Sequence, residues 1–400
     1  MFYLITHIFF LIFLCSSSII NAEDLPRPTI CLNMIVKNES KVITRCLASM
    51  LPIINYWVIV DTGSEDDTKK IIEEFMQKHG VKGEIDDRPW VNFSHNRNEA
   101  LKLAQGKGDY VFFMDADDFL VYDSDFKLPQ LEKDYYNVFI NHSELKYSRI
   151  MLINNHKDWK WVGVLHEVLV APPLSTFSTL EKVICKYTSE GARSQDPQKY
   201  YKDAQILENA LKNEPNNSRY VFYLARSYSD AGDYAKALKN YEKRVTMGGW
   251  DQEIFYSLFQ IGLMQELLQM PLADVIQSHN RAYQYRKSRV EPLYQIARLH
   301  RIHGEYELGY QIAKLAQTLP ISKDALFVQH WVYDYSLPLE RSICAYWIGN
   351  YLECQQISLE ILKKENLPED IKTCVQRNLE FANVKLLEPI LKKSILAPQS

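Results

Sequence analysis

Between residues 29 and 118, apolar segments alternate with amphipathic segments, and each apolar segment ends in polar residues. The segments TICLNMIV (29–36), YWVIVD (56–61) and DYVFFMD (109–115) have the length and composition of buried strands. The sequences between them place apolar residues three and four positions apart, as amphipathic helices do. This alternation of strand and helix predicts a mostly parallel sheet with helices on both faces.

The polar residues after the three strands fall at residues 37–39, 61–68 and 115–118. Ligands of such sheets bind beyond the carboxyl ends of the strands, so all three clusters are expected to meet in one crevice. Asp115, Asp117 and Asp118 repel one another, because two charges 4–5 Å apart cost about 3–4 kcal/mol at an effective dielectric constant near 20. A positive partner is therefore expected beside them.

The length of 400 residues indicates two domains, and the net charge of −4 gives no electrostatic footprint for nucleic acid. Residues 1–22 have the composition of a signal peptide, which predicts a secretory or extracytoplasmic location. An uncleaved signal anchor is the alternative, and it would be the chain's only contact with a membrane. The seven cysteines are too few for a disulfide framework, although a bridge between Cys344 and Cys354 stays open.

From about residue 186 onward the apolar spacing becomes helical throughout, and a ladder of small and aromatic residues occurs twice. The first ladder is Leu224, Ala225, Tyr228, Gly232, Tyr234, Ala237 and Tyr241, and the second is Ile296, Ala297, His300, Gly304, Tyr306, Gly309 and Ala313. The two glycines lie 72 positions apart (304 − 232), close to two periods of a tetratricopeptide repeat. We expect helical repeats over residues 196–390, after a boundary near residues 190–196.

Four motifs of the N-terminal half resemble those of family-2 glycosyltransferases with the GT-A fold. They are NMIVKNES (33–40), VIVDTGSEDDT (58–68), SHNRNEAL (94–101) and FMDADD (113–118), the last being similar to the family's DxD metal motif. The resemblance covers residues 29–170. It implies a Rossmann-like GT-A domain over residues 29–190, followed by an all-α tetratricopeptide-like domain.

The resemblance also implies roles for residues of the crevice that bind a nucleotide sugar. Glu39 and Asp61 would contact the nucleoside, with Lys37 beside them in the same crevice. Arg97 would face the diphosphate or ribose, and Asp115 the ribose or the donor sugar. The guess for the donor is a UDP-linked hexose.

The metal and the catalytic base are assigned in the same way. Asp117 would bind Mn²⁺ or Mg²⁺, and Asp118 is either a second metal ligand, a solvated neighbour or the second candidate for the base. Asp66 is explained equally well as a helix cap.

The stretch WKWVGVLHEVL (159–169) resembles the tryptophan and His-Glu segment of lipopolysaccharide-core glucosyltransferases and peptide S-glycosyltransferases. By that resemblance His166 is a metal ligand or a diphosphate contact, and Glu167 is the first candidate for the base that deprotonates the acceptor. Trp159 and Trp161 either offer flat faces to a sugar ring or pack in the core.

Two functions remain open at this point. The first is a metal-dependent, inverting glycosyltransferase of the hexosyltransferase class, with a protein or peptide acceptor held by the helical repeats. The second is an inactive, transferase-like scaffold whose repeats bind a protein partner. The departure from the family's DDGS sequence at Thr62 favours the second, whereas the persistence of Asp61, Arg97 and the acidic cluster favours the first.

Overall fold

The computed structural model describes residues 27–142 and 145–395. The predicted signal peptide at residues 1–22 lies outside these ranges. Within them, no helix is both long and apolar enough to cross a membrane. The described cysteines, Cys344 and Cys354 among them, are all free thiols.

In the residues that the structure describes, the N-terminal unit contains ten strands and three helices. They are β1 (Ile30–Val36), α1 (Ile43–Met50), β2 (Tyr56–Asp61), α2 (Thr68–Lys78), β3 (Lys82–Asp87), α3 (Phe93–Leu103), β4 (Tyr110–Phe113), β5 (Phe119–Tyr122), β6 (Tyr135–His142), β7 (Leu145–Asn154), β8 (Lys160–Val162), β9 (Val168–Val170) and β10 (Phe177–Lys186). Eight strands form one sheet in the order β3-β2-β1-β4-β7-β6-β10-β5, and β8 and β9 form a separate hairpin.

The half of the sheet that contains β1 to β4 is parallel, as the alternation of strands and helices predicts. The other half is mixed, because β7 pairs antiparallel with both β4 and β6, and β5 pairs antiparallel with β10. Alternate residues of β1 enter two different apolar clusters: Leu32 and Met34 pack with α1 and α2, whereas Cys31 packs with the tryptophans near β8. Both faces of the central strands are therefore buried, which explains their continuous apolar sequence.

The strand predicted before the three aspartates ends before the first of them. β4 ends at Phe113, and β5 begins only at Phe119 in another part of the sheet. A turn separates them, in which the Asp118 amide donates to the Asp115 carbonyl at 3.2 Å. Around this turn the three carboxylates point to different partners.

The helical unit begins after a linker and consists mainly of antiparallel helix pairs. Its helices are α4 (Lys199–Asn213), α5 (Ser218–Asp230), α6 (Tyr234–Thr246), α7 (Asp251–Leu267), α8 (Leu272–Tyr285), α9 (Glu291–Ile302), α10 (Tyr306–Ala316), α11 (Leu337–Trp347), α12 (Tyr351–Leu362) and α13 (Glu369–Ile395), with a π-helical turn at Val332–Ser336 before α11. Gly232, Gly304 and Gly349 lie in the turns within three of the pairs and have φ of +79°, +78° and +85°. Glycine adopts this conformation without strain, which explains its place in both sequence ladders.

The hairpin of β8 and β9, whose connecting turn contains His166 and Glu167, packs on the first repeat. Leu165 is buried in the same apolar cluster as Ala204, Tyr220 and Tyr223 of the helical unit. The Tyr220 hydroxyl accepts a hydrogen bond from the Val164 amide at 3.3 Å. The stretch around His166 therefore lies between the sheet and the helical repeats.

Candidate active site

The loops after β1 and β2 hold each other in place at the carboxyl edge of the sheet. The Asn38 amide donates to Ser64 Oγ at 2.8 Å, and the Glu39 amide donates to Thr68 Oγ1 at 2.8 Å. Asp66 accepts from the amides of Ser40 and Thr68. Asp66 thus joins the two loops and accepts from the first amide of α2, whereas the N-cap position of that helix is Asp67.

Asp61 ends β2 with one carboxylate oxygen satisfied and one free. Its Oδ1 accepts from the amides of Gly63 and Ser64 at 2.8 and 2.7 Å. Its Oδ2 is buried and has no hydrogen-bond partner among the described residues, and the residue is only 2% exposed. A buried acceptor without a donor is costly, so this oxygen is suited to receive a donor from a ligand. Lys37 is exposed nearby, on the side of Gly63.

Asp115 is neutralised by the protein itself. Its Oδ1 accepts from Arg97 Nη2 at 2.7 Å, and its Oδ2 accepts from Arg149 at 3.3 Å. Although burial favours the protonated form, the two guanidiniums hold the pKa of Asp115 well below its usual value. The positive partner expected beside the aspartates is therefore, for Asp115, a pair of arginines, and Arg149 on β7 had not been singled out from the sequence.

Arg97 links Asp115 to the candidate base. Its Nε donates to Glu167 Oε1 at 2.6 Å, while its guanidinium carbon lies 5.0 Å from the centroid of the Trp161 ring. Glu167 is thus held in one orientation, with only Oε1 engaged by Arg97. Trp159 and Trp161 are both 8% exposed and pack in the core behind Arg97, so the packing alternative holds for them and the sugar-stacking alternative does not.

Glu39 and Asp117 form a pair of carboxylates without a cation. Asp117 Oδ2 accepts from the Gly191 amide at 3.1 Å, and Glu39 Oε2 accepts from the Ala192 amide at 3.3 Å. Neither carboxylate forms an ion pair with a described Lys or Arg. Burial and then mutual repulsion raise the pKa of Glu39 to about 7, and burial and Asp115 raise the pKa of Asp117. Two adjacent carboxylates of this kind carry uncompensated negative charge.

This pair fits a divalent cation that is shared with a ligand. No three metal-ligating side chains converge anywhere in the described ranges, so the protein alone offers no complete cage. Mg²⁺ is usually held by one or two carboxylates together with substrate phosphates, and Mn²⁺ accepts the same oxygen ligands. Glu39 and Asp117 supply such a partial site. The pKa values of both are raised, so a cation bound between them would stabilise their ionised forms.

Asp118 faces the interior rather than the crevice. It is 1% exposed, and its Oδ1 accepts from the Thr188 amide at 3.0 Å. Burial, followed by the charge of Asp115, raises the pKa of Asp118 to about 7. The alternative of a solvated neighbour is therefore wrong, and an acceptor molecule has no direct access to this carboxylate.

His166 lies against the helical unit. Its ring stacks on Tyr223 with centroids 4.0 Å apart, and its carbonyl accepts from Arg219 Nη2 at 3.0 Å. Desolvation and the charges of Arg226, Arg193 and Arg219 lower the pKa of His166. Three guanidiniums repel a metal cation and attract an anion. This environment therefore favours the expected contact of His166 with a diphosphate over its role as a metal ligand. His166 also has φ of +52°, a conformation that non-glycine residues adopt mainly where the surroundings enforce it.

Comparisons with known proteins bear on the N-terminal unit first. Residues 31–137 match the family described as Glycosyl transferase family 2. The SPbeta prophage-derived glycosyltransferase SunS of Bacillus subtilis (strain 168) is 25% identical over 245 residues, which cover 55% of this chain and 56% of SunS. The chain thus spans little more than half the length of this curated relative.

Other comparisons extend into the helical unit. A TPR repeat-containing protein from Synechococcus elongatus is 26% identical over 306 residues, which cover 71% of this chain and 74% of that protein. The crystal structure of S. aureus TarS aligns over 60% of this chain and 53% of its own, with 14% identity and a TM-score of 0.30. Residues 31–137 thus match the model of Glycosyl transferase family 2, in a mostly parallel sheet of GT-A type that is followed by many helices on the same chain.

Proposed function

We propose that this chain is a metal-dependent glycosyltransferase that moves a sugar from a nucleotide-sugar donor to an acceptor. The observation that carries the proposal is the carboxyl edge of the sheet, where Asp61 keeps a buried oxygen without a donor and Glu39 and Asp117 share uncompensated charge. A nucleoside diphosphate with its cation satisfies both needs at once. The match to family 2 supports the same chemistry.

Asp61 Oδ2 accepts a hydrogen bond from the nucleoside of the donor, and the backbone amides at Asp61 Oδ1 keep the side chain in that orientation. From the sequence Glu39 is expected to contact the nucleoside, but because it lies next to Asp117 we propose instead that these two carboxylates would hold Mn²⁺ or Mg²⁺. Such a cation would supply a Lewis acid for the negative charge that develops on the leaving group. Arg97 and Arg149 keep Asp115 ionised and fixed beside this site.

Glu167 is the base in this proposal. Arg97 binds its Oε1 and so orients the side chain, which leaves Oε2 to take the proton of the acceptor hydroxyl or thiol. The acceptor attacks the anomeric carbon as the bond to the diphosphate breaks, with inversion at that carbon. Asp118 is the weaker candidate because it is buried behind the Thr188 amide.

The acceptor is proposed to be a protein or peptide that approaches from the helical repeats. The support for this is contact: the His166 and Glu167 segment that borders the site packs directly on α5 of the first repeat. A hexose linked to UDP stays our proposal for the donor, and the apolar segment at residues 1–22 stays the basis for proposing an extracytoplasmic location.

The test is a screen of nucleotide sugars for hydrolysis or transfer with Mn²⁺, Mg²⁺ or a chelator. We expect turnover of at least one donor, its loss on chelation, and its loss in Asp117→Asn. Asp123→Asn, which changes an exposed aspartate just beyond β5, is the matched control and should keep wild-type turnover. The scaffold hypothesis would replace ours if no donor were turned over and calorimetry with nucleoside diphosphates plus Mn²⁺ gave no heat.

A further inference from the structure

The first helices of three successive pairs, α5, α7 and α9, each present a side chain to the same segment of the chain, namely Arg226, Tyr256 and Glu291, and these side chains define one face of the helical unit. Repeats of this class use such a face to bind extended segments of other proteins. Here the face is covered by the chain itself. Residues 320–329, which follow α10 and precede α11, have no helix or strand and cross this face. We call them the crossing segment.

Side chains of the repeats bind the main chain of the crossing segment. Gln252 Oε1 accepts from the amides of Ala325 and Leu326 at 3.0 and 2.8 Å. Arg289 donates from Nη1 to the Leu326 carbonyl at 3.0 Å and from Nη2 to the Phe327 carbonyl at 2.9 Å. These bonds engage groups that every peptide carries, so they would hold another sequence equally well.

The same pattern continues at both ends of the segment. Glu291, whose carboxylate is fixed by Arg289, accepts from the Gln329 amide at 3.1 Å. At the other end, Asp324 forms an ion pair with Arg286. Acceptors and donors from two repeats therefore alternate along the segment, as they do in a complex with a bound peptide.

Apolar side chains of the segment fill the space beside these bonds. Leu326 and Val328 are 9% and 6% exposed, and Leu326 belongs to the same buried cluster as Tyr223. The ring of Phe327 lies 5.0 Å from that of Tyr256 and 4.4 Å from the guanidinium carbon of Arg226. Phe327 has φ of +46°, which is unfavourable for a bulky residue and persists only because its surroundings hold it.

A series of side-chain contacts connects this face to the catalytic edge of the sheet. Arg226, which covers Phe327, also lies 5.8 Å from the ring centroid of Tyr223, and Tyr223 stacks on His166 at 4.0 Å. Glu167 follows His166 in the chain. A peptide seated where the crossing segment now lies would therefore be linked through Arg226 and Tyr223 to His166, the neighbour of the residue that we propose as the base.

We propose that the crossing segment is a built-in competitor, and that the face of α5, α7 and α9 is a peptide-binding site whose resident ligand is residues 320–329. A protein partner enters this site as an extended segment with two adjacent apolar residues, and only by displacing the resident one. The binding site does not depend on sugar transfer, so its test is separate from that of the transferase activity.

The first experiment uses a fluorescent synthetic peptide with the sequence of residues 319–330. In the full-length double variant Leu326→Ser/Phe327→Ser, the resident segment is released while Gln252 and Arg289 are unchanged. We expect the peptide to bind this variant and to bind the wild type at least about tenfold more weakly, because the site is free only in a minor population. Ile321→Ser, an exposed position of the same segment, should bind as weakly as the wild type.

The second experiment uses the wild-type protein and so does not depend on the folding of a variant. Hydrogen exchange of the amides of Ala325, Leu326 and Gln329 is followed with and without excess peptide. We expect the peptide to accelerate exchange at these amides and not in α12. Unchanged exchange at saturating peptide, or a double variant that folds but binds no peptide, would show that the segment is a fixed part of the architecture and overturn the proposal.

Discussion

The helical unit and the carboxyl edge of the sheet differ in how their buried charges are compensated. In the helical unit, the fully buried Arg244 donates to Glu253 at 2.9 Å, and Arg289 lies 2.8 Å from Glu291. Each of these carboxylates is nearly or fully buried together with its arginine. In each pair the arginine and the carboxylate compensate each other's charge within the fold, so neither charge requires a charged ligand.

At the edge of the sheet, compensation is only partial. Asp115 has its two arginines, whereas Asp117 and Glu39 accept from the backbone amides of Gly191 and Ala192, respectively, and form no ion pair with a Lys or Arg of the described ranges. Asp61 Oδ2 meets no donor among the described residues. Both regions contain buried charges, but of these carboxylates the ones that the fold leaves uncompensated all lie in the candidate ligand site.

The largest effect is expected from breaking the uncompensated pair. Asp117→Asn should lower the rate of sugar transfer by about 100- to 10,000-fold, because the cation that stabilises the leaving group loses a ligand. The free energy of unfolding should not fall, since the substitution also removes repulsion with Glu39. Single-turnover kinetics and thermal melts measure the two quantities. A variant that lost stability and activity together would contradict this assignment.

Removing one partner of a compensated ion pair should lower stability and leave the affinity for the ligand unchanged. Arg244→Met leaves Glu253 buried without its main partner and should reduce the free energy of unfolding by about 3 kcal/mol. The double variant Arg244→Met/Glu253→Gln should recover part of that loss. Urea denaturation measures both, and calorimetry should show unchanged affinity for the nucleoside diphosphate in the folded protein.

The helical unit also contains one buried titratable side chain without a hydrogen-bond partner among the described residues, that of His279. Its ring is 0% exposed, neither nitrogen has a partner in the described ranges, and burial lowers its pKa to about 3. Below the unfolded pKa near 6.5 the unfolded chain binds a proton that the folded chain does not. Stability should therefore fall by about 1.4 kcal/mol per pH unit as the pH decreases from 6.5.

Denaturation at several pH values checks this expectation. In His279→Leu the contribution of this residue should vanish, so the variant should show a shallower decline of stability between pH 6.5 and pH 4.5 than the wild type. Equal slopes for the two proteins would assign the acid sensitivity to other groups.

The smallest effect concerns the turn that covers the uncompensated pair. A Cβ atom at Gly191 would lie 2.9 Å from Asp117 Oδ2 and 3.2 Å from Glu39 Oε2. Gly191→Ala should therefore shift both carboxylates and raise KM for the donor by about tenfold, with little change in stability. Ala192→Ser, at the exposed neighbouring position, is the control and should leave KM unchanged.

Much of this architecture follows from local sequence. The apolar segments 29–36 and 56–61 predict β1 and β2, and the ladders around Gly232 and Gly304 predict helix pairs with tight turns. These features are readable because periodicity and glycine conformation depend on neighbouring residues alone. The grouping of the polar clusters at one edge also follows, since the carboxyl ends of parallel strands coincide.

Other features carry no local signal. Arg149 reaches Asp115 because β7 joins the sheet antiparallel beside β4, which the sequence around residue 149 does not indicate. The position of Gly191 over Asp117 depends on a contact between residues far apart in the chain. The same is true of the crossing segment on the repeats. Such contacts are set by how whole elements pack.

Short-range periodicity specifies which strands and helices form and which carboxylates stand at the ends of the strands. The tertiary fold sets which of those carboxylates receive an arginine, which stay uncompensated, and the position of residues 320–329 on the repeats. Charge compensation and groove occupancy differ from periodicity because they require groups distant in the chain to lie within a few ångströms of one another.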